Sequence, residues 1–212
     1  MASTTQTPTA EPFLPSRRSL KALREASAGC RGCELYRDAT QTVFGEGQRT
    51  APMMLVGEQP GDREDVEGKP FVGPAGRVLD ESLSEADIGR DDVYLTNAVK
   101  HFKWRQGRGK RRIHQRPAME EVRACLPWLE AELEAVDPKV VVCMGATAAR
   151  ALLGPKVRVT KDRGGFVEMT GGHLATATVH PSSLLRIDDP DQRRLARAEF
   201  VRDLSGAAAR LA

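Results

Sequence analysis

The chain has 212 residues, 40% of them apolar and 5% aromatic, and sets 32 Lys/Arg against 29 Asp/Glu for a net charge of +3. That length fills the core of one substantial α/β domain. No apolar run approaches a membrane span, and four cysteines in so long a chain argue against a disulfide-stapled extracellular scaffold, so the expected compartment is the cytoplasm.

The first residues, MASTTQTPTAEPFLP, are rich in Ser, Thr and Pro and lack the apolar stretch of a secretory signal. Residues 1–18 are therefore expected to be a disordered tail and residues 19–212 the folded domain. A short helix is predicted over Ser19 to Ala26, ahead of CRGCELYRDAT, where Cys30 and Cys33 have ligand-pair spacing on a turn. PMMLVGEQPGD reads as a buried strand that ends at Gly57 and delivers Glu58, Gln59 and Asp62 beyond its carboxyl end. AGRVLDESLSEADI then has helical spacing at Val78, Leu79, Leu83 and Ile88. The unit recurs in DVYLTNAVK, a strand ending near Asn97, and in the amphipathic EEVRACLPWLEAELEAV, where Pro127 predicts an irregularity.

Between them, Lys100 to Arg116 holds eight Lys/Arg and no acid, leaving 24 basic residues to balance 29 acidic ones elsewhere. So local a charge suits a polyanion, although charge runs are also commonly solvated loops. Within it, the histidine loop of residues 105–117 places His114 directly after Lys110, Arg111, Arg112 and Ile113, and Gly107 and Gly109 leave the loop free to move. KVVVCMGATAARALLG is a strand, glycine turn and helix, with Cys143 a core residue. LATATVHPSSLLR is a strand running into His180, and a last helix is expected around Gln192 to Leu204. Strands alternating with helices predict a three-layer α/β/α domain around a central, mostly parallel four-stranded sheet. Ligand sites on such sheets lie beyond the strands' carboxyl ends, where Glu58, Asn97 and His180 all fall.

The blocks GEQPGDREDVEGKPFVGPAGRVLD, YLTNAVKHFK and HPSSLLR, in this order, resemble the uracil-DNA glycosylase superfamily and specifically its iron–sulfur branch, family 4. GRGKRRIHQRP resembles the histidine loop of the UdgX group, glycosylases that become covalently joined to the DNA they act on. The resemblance implies a protein that takes uracil-containing DNA and frees uracil; a monomer is expected, and single strands are the less costly substrate because flipping a base there loses less stacking. By spacing alone, Cys30 and Cys33 with Cys125 suit zinc or an iron–sulfur cluster equally. The resemblance favours a 4Fe–4S cluster and makes His101, standing where family 4 has a cysteine, the fourth ligand; an ordinary surface or DNA-facing histidine is the alternative.

The same resemblance assigns the site. Phe71 would stack on the flipped base, or pack in the core. Asn97 would pair with uracil O4 and N3–H, a pattern cytosine reverses, or cap its strand. His180 would donate to uracil O2 as negative charge develops there, or be a satisfied core histidine. Glu58 would position water or stabilise the sugar cation, with Gly57, Gln59 and Asp62 shaping the turn. Ser182 and Ser183 would hold phosphates and Leu184 and Leu185 would wedge into the gap, or they would be plain packing residues, and Arg186 ends the motif on the DNA-binding side.

His114 would then capture the sugar in place of water, forming a C1′–N bond, with Glu58 on its other ring nitrogen and Lys110, Arg111 and Arg112 gripping phosphates and keeping the imidazole neutral. Two rival readings predict different observables. A turnover glycosylase, with His114 only touching a phosphate, releases many uracils per protein; a non-catalytic, metal-stapled DNA-binding module releases none.

Overall fold

The computed structural model describes residues 8–211. Ser19 caps α1 (Leu20–Ser27), its hydroxyl accepting the Ala22 amide at 3.3 Å. The apolar run Met53–Gly57 is strand β1, followed by the short α2 (Asp62–Glu67) and by α3 (Pro74–Glu85), which begins on a proline whose missing amide costs nothing there. Strand β2 (Val93–Asn97) leads into a two-stranded hairpin of β3 (Trp104–Gln106) and β4 (Arg112–His114), then into α4 (Met119–Val136), which carries Pro127 in its interior. The remainder is β5 (Val140–Met144), α5 (Ala146–Leu153), α6 (Val159–Asp162), β6 (Phe166–Glu168), β7 (Leu174–Thr178), α7 (Pro181–Leu184) and α8 (Pro190–Ala208).

The sheet runs β2-β1-β5-β7-β6. Its first four strands are parallel and correspond to the four expected from sequence. The fifth, β6, pairs antiparallel with β7, so the sheet has five strands and not four. Three residues, of which Val167 and Glu168 are exposed, carry no apolar run to announce a strand. The pleat splits the core in two. Met53, Leu55, Val140 and Val142 face α3 and α8, whereas Met54, Val56, Val141 and Cys143 face α4 and α5. Cys143 is accordingly a fully buried core residue.

Two expectations need correction. Residues 1–7 of the expected disordered tail lie outside the described residues, but residues 8–18 are not a loose extension. Ala10 is buried and its amide donates to the Ala124 carbonyl at 2.7 Å, anchoring the segment on α4. The basic loop, expected to be mobile, is a hairpin, with Trp104 opposite His114 and a turn in which Gly109 takes φ +64°. Among the described residues no helix is long and apolar enough to cross a membrane.

Candidate active site

The carboxyl ends of β1, β2, β5 and β7 open into a cleft of about 720 Å³, lined among others by Glu58, Phe71, Asn97, His114, His180 and Arg186. The parallel pairing of Gly57 with Asn97 sets these two side by side at its floor. Asn97 is 2% exposed, and its Oδ1 is buried without any hydrogen-bond partner. An orphaned buried acceptor is costly in a folded protein unless something else completes it. Gly57 keeps the recess open: a Cβ there would meet Asn97 Oδ1 on one side and Phe71 Cζ at 2.7 Å on the other. Phe71 itself sits at φ +57°, a left-handed conformation that costs a bulky side chain strain and that clusters at functional sites.

His180 stacks against Phe71, the ring centroids 6.2 Å apart and the planes 26° from parallel. Its Nδ1 accepts the Ser182 amide at 3.2 Å and so caps α7, which leaves the ring proton on Nε2. Burial, helped by the nearby charges of His114 and Arg186, pulls its pKa down to about 4. At neutral pH it is thus an uncharged N–H donor lining the cleft.

His114 arrives from the hairpin, and three contacts hold the hairpin against the sheet. Gln59 accepts the Lys103 amide at 3.1 Å and donates to the carbonyls of Lys103 at 3.2 Å and Gln115 at 2.9 Å. These backbone partners fix which end of the amide is nitrogen, and that nitrogen lies 2.9 Å from His114 Nε2. His114 Nε2 is therefore the acceptor and Nδ1 carries the proton. Arg112 reaches the other way, to Asp62 Oδ1 and Asp65 Oδ2, each at 2.5 Å. It is locked in this latch and stacked near Phe102 and Trp104, so the phosphate grip expected of it is not available; Asp62 is turned to the same latch.

The Glu58 carboxylate is 3.9 Å from His114 through Oε1, on the Nε2 side. It therefore does not take the opposite ring nitrogen as the sequence led us to expect; Gln59 orients the ring instead. The His114 pKa is lowered, first by burial and further by Arg186, with Glu58 opposing. Lys110, Arg111 and Arg112, expected to keep the ring neutral, are not among the causes of this shift. Thr147, which nothing in GATAAR singles out, donates its hydroxyl to Glu58 Oε2.

Of the eight basic residues in the hairpin region, Lys100 is buried against Glu132, Lys103 pairs with Glu121 at 2.8 Å, and Arg116 lies 3.7 Å from Glu58. With Arg112 latched, Arg105, Arg108, Lys110 and Arg111 stand exposed with no side-chain partner among the described residues. The HPSSLLR turn also departs from expectation. The Ser182 hydroxyl is 2.9 Å from His180 Nδ1 and the Ser183 hydroxyl donates to the His180 carbonyl at 2.7 Å, so both are occupied in holding His180. Leu184 is 3% exposed in the core and cannot wedge into DNA, whereas Leu185, 47% exposed, stands at the mouth of the cleft with Arg186.

Residues 44–205 match the model of the uracil DNA glycosylase superfamily. The chain belongs to that superfamily. Among the uracil-DNA glycosylases it is 40% identical over 167 residues to the type-4 enzyme of Thermotoga maritima, covering 78% of this chain and 83% of that one. It is 33% identical over 193 residues to the type-4 enzyme of Pyrobaculum aerophilum, covering 88% and 91%. It is also 34% identical over 159 residues to a type-5 uracil-DNA glycosylase of the latter organism, covering 65% and 64%.

The spacing of the cysteines in this uracil-DNA glycosylase superfamily member predicts a metal site. Cys30, Cys33 and Cys125 are buried, none is disulfide-bonded, and all three join one core cluster close enough for their charges to act on one another. Two of the sulfurs receive N–H donors, Cys30 from Trp128 Nε1 and Cys125 from the Lys100 amide, both at 3.2 Å. Such donors are what metal-bound thiolates are given in proteins. Burial raises the Cys33 thiol and pushes Cys125 up to about 12. His101 is buried too, and its pKa falls to about 4 through burial, with Asp65 opposing. Among the described residues no three His, Cys, Asp or Glu are grouped as one metal ion would need.

Proposed function

We propose that this superfamily member excises uracil from DNA and is then joined to it, His114 ending bonded to C1′ of the abasic sugar. The observation that carries the reading is the convergence, in one cleft, of an unsatisfied Asn97 acceptor with a neutral histidine whose Nε2 lone pair lies beside Glu58. Uracil N3–H supplies what Asn97 Oδ1 lacks, and the Asn97 amide N–H₂ then meets O4. The Phe71 face receives the ring. His180 Nε2–H donates to O2, where the electron pair of the breaking C1′–N1 bond is delocalised.

As that bond breaks, the sugar becomes an oxocarbenium ion whose positive charge the Glu58 carboxylate stabilises. The His114 Nε2 pair then forms the new bond to C1′, the Nδ1 proton leaves to solvent, and the departed uracil anion takes up a proton. Gln59 must release Nε2 first. Its amide has two hydrogens for three acceptors, two of them backbone carbonyls, so release forfeits only a shared bond. A tethered imidazole competes with water at high effective concentration, and the alkylated ring is a poor leaving group.

A 4Fe–4S cluster held by Cys30, Cys33, Cys125 and His101 belongs to the same proposal. Breaking a glycosidic bond needs no electron, so the cluster would tie the N-terminal segment to α4 and the end of β2. Single-stranded DNA is the expected preferred substrate, because less stacking is lost on flipping.

The test is a uracil-containing oligonucleotide incubated with the protein or with His114→Ser, boiled in detergent and run on a denaturing gel. A heat-stable shifted band with the unsubstituted protein alone supports the proposal. Released uracil with no shift would identify a turnover glycosylase, and intact DNA a binding module.

A further inference from the structure

The Glu58 carboxylate has two oxygens, and the structure treats them differently. Oε1 faces His114 Nε2 at 3.9 Å, on the cleft side. Oε2 receives the hydroxyl proton of Thr147. Thr147 is 1% exposed, in the first turn of α5 behind the cleft wall, and its oxygen in turn accepts the Arg116 Nε–H at 3.3 Å. Arg116 follows the hairpin by two residues and also lies 3.7 Å from Oε2. One hydroxyl thus joins the sheet, α5 and the histidine hairpin, and it spends its single proton on the carboxylate.

Resting on the function proposed above, we infer that Thr147 is a positioning residue that decides which nucleophile takes the sugar. A carboxylate that delivers water to C1′ needs an oxygen free to accept one of the water's protons. Thr147 holds one lone pair of Oε2 and so fixes the carboxylate's rotation, turning Oε2 toward α5 and leaving Oε1 as the oxygen that His114 stands over. Without the hydroxyl the carboxylate turns, and Oε2 becomes a second seat at which water is held. The water oxygen then bonds to C1′, its proton passes to Oε2, and the products are uracil and a free abasic strand. With the hydroxyl in place, the His114 Nε2 pair makes the bond and the strand stays attached.

The test compares Thr147→Val, which keeps the buried volume, with Thr147→Ser, which keeps the hydroxyl. For each, cross-linked strand and free abasic strand are quantified in the same reaction on a uracil-containing oligonucleotide. The ratio of free to cross-linked product is expected to rise about tenfold in Thr147→Val, the weight of one hydrogen bond to a charged group, and to stay at the unsubstituted value in Thr147→Ser. A role confined to folding slows both products in proportion and leaves the ratio fixed, which overturns the inference. So does a raised ratio in Thr147→Ser as well. Should the valine variant not fold, Thr147→Ala replaces it, with the same ratio expected. The unsubstituted protein, run alongside, separates the two levels: if it yields uracil without any cross-link, the capture reading itself fails, whatever the variants do.

Discussion

Replacing Gly57 with alanine adds one methyl group, and the structure fixes where it lands. The new Cβ lies 2.7 Å from Phe71 Cζ and closer still to Asn97 Oδ1, whereas ordinary contact starts near 3.4 Å, so the ring must retreat by about 0.7 Å. Phe71 has little freedom to do so, because its backbone is held at φ +57° and its ring lies against His180. A displacement approaching 1 Å between reacting groups costs roughly a hundredfold in rate, so uracil excision by Gly57→Ala should fall by about that factor. Overpacking also costs about 1–3 kcal/mol, or a few degrees of melting temperature at this chain length. The assay is uracil release under single turnover with excess protein, alongside binding to uracil-free DNA, which the substitution leaves alone because no basic hairpin residue is touched. Excision within threefold of the unsubstituted rate would refute the claim that this recess receives the base.

Arg112→Ala removes both partners' counter-charge and leaves Asp65, fully buried, with only Thr40 to satisfy it. Stranding a buried charge costs about 3–5 kcal/mol, so thermal unfolding should move down by roughly 6–15 °C and cross-linking should fail with it; a shift under 2 °C would show that the latch does not bear on stability. His180 predicts acid sensitivity. Its folded pKa, about 4, lies below the ordinary 6.5, so the unfolded chain binds more protons between these values and stability is lost as pH falls through that window. The loss by pH 5 is about 2 kcal/mol; denaturant midpoints from pH 7 to 5 should fall less steeply in His180→Gln, and equal slopes would contradict the assignment. Finally, Lys110→Ala and Arg111→Ala should each lower the salt dependence of DNA binding by just under one unit on a log–log plot, about 0.7 for single strands. An unchanged slope would place the DNA elsewhere.

What the sequence disclosed follows from what leaves a local trace. Each five-residue apolar run became a buried parallel strand, and Glu58, Asn97 and His180 met because strand ends of a parallel sheet share one edge. The hairpin left no such trace: Arg112, Ile113 and His114 alternate without an apolar face, and their pairing with Trp104 to Gln106 depends on contacts with Gln59, Asp62 and Asp65 some fifty residues away in the chain. Charge counting overstated the DNA-facing surface for the same reason, since Lys100, Lys103 and Arg112 find acids only in three dimensions. Two adjacent leucines at the end of a four-residue helix look alike in sequence, yet Leu184 packs in the core and Leu185, just past the helix, is exposed at the cleft mouth. Thr147 is one small residue in a helix start, and only the approach of Glu58 from another strand gives it meaning.

The bond between the His114 imidazole and the C1′ carbon of the sugar is read directly by mass spectrometry. After reaction with a short uracil-containing oligonucleotide, a species weighing protein plus oligonucleotide less one uracil is expected. Digestion should then locate the deoxyribose on the peptide containing His114. Unmodified protein beside an abasic strand, or a sugar carried by any other residue, would contradict it.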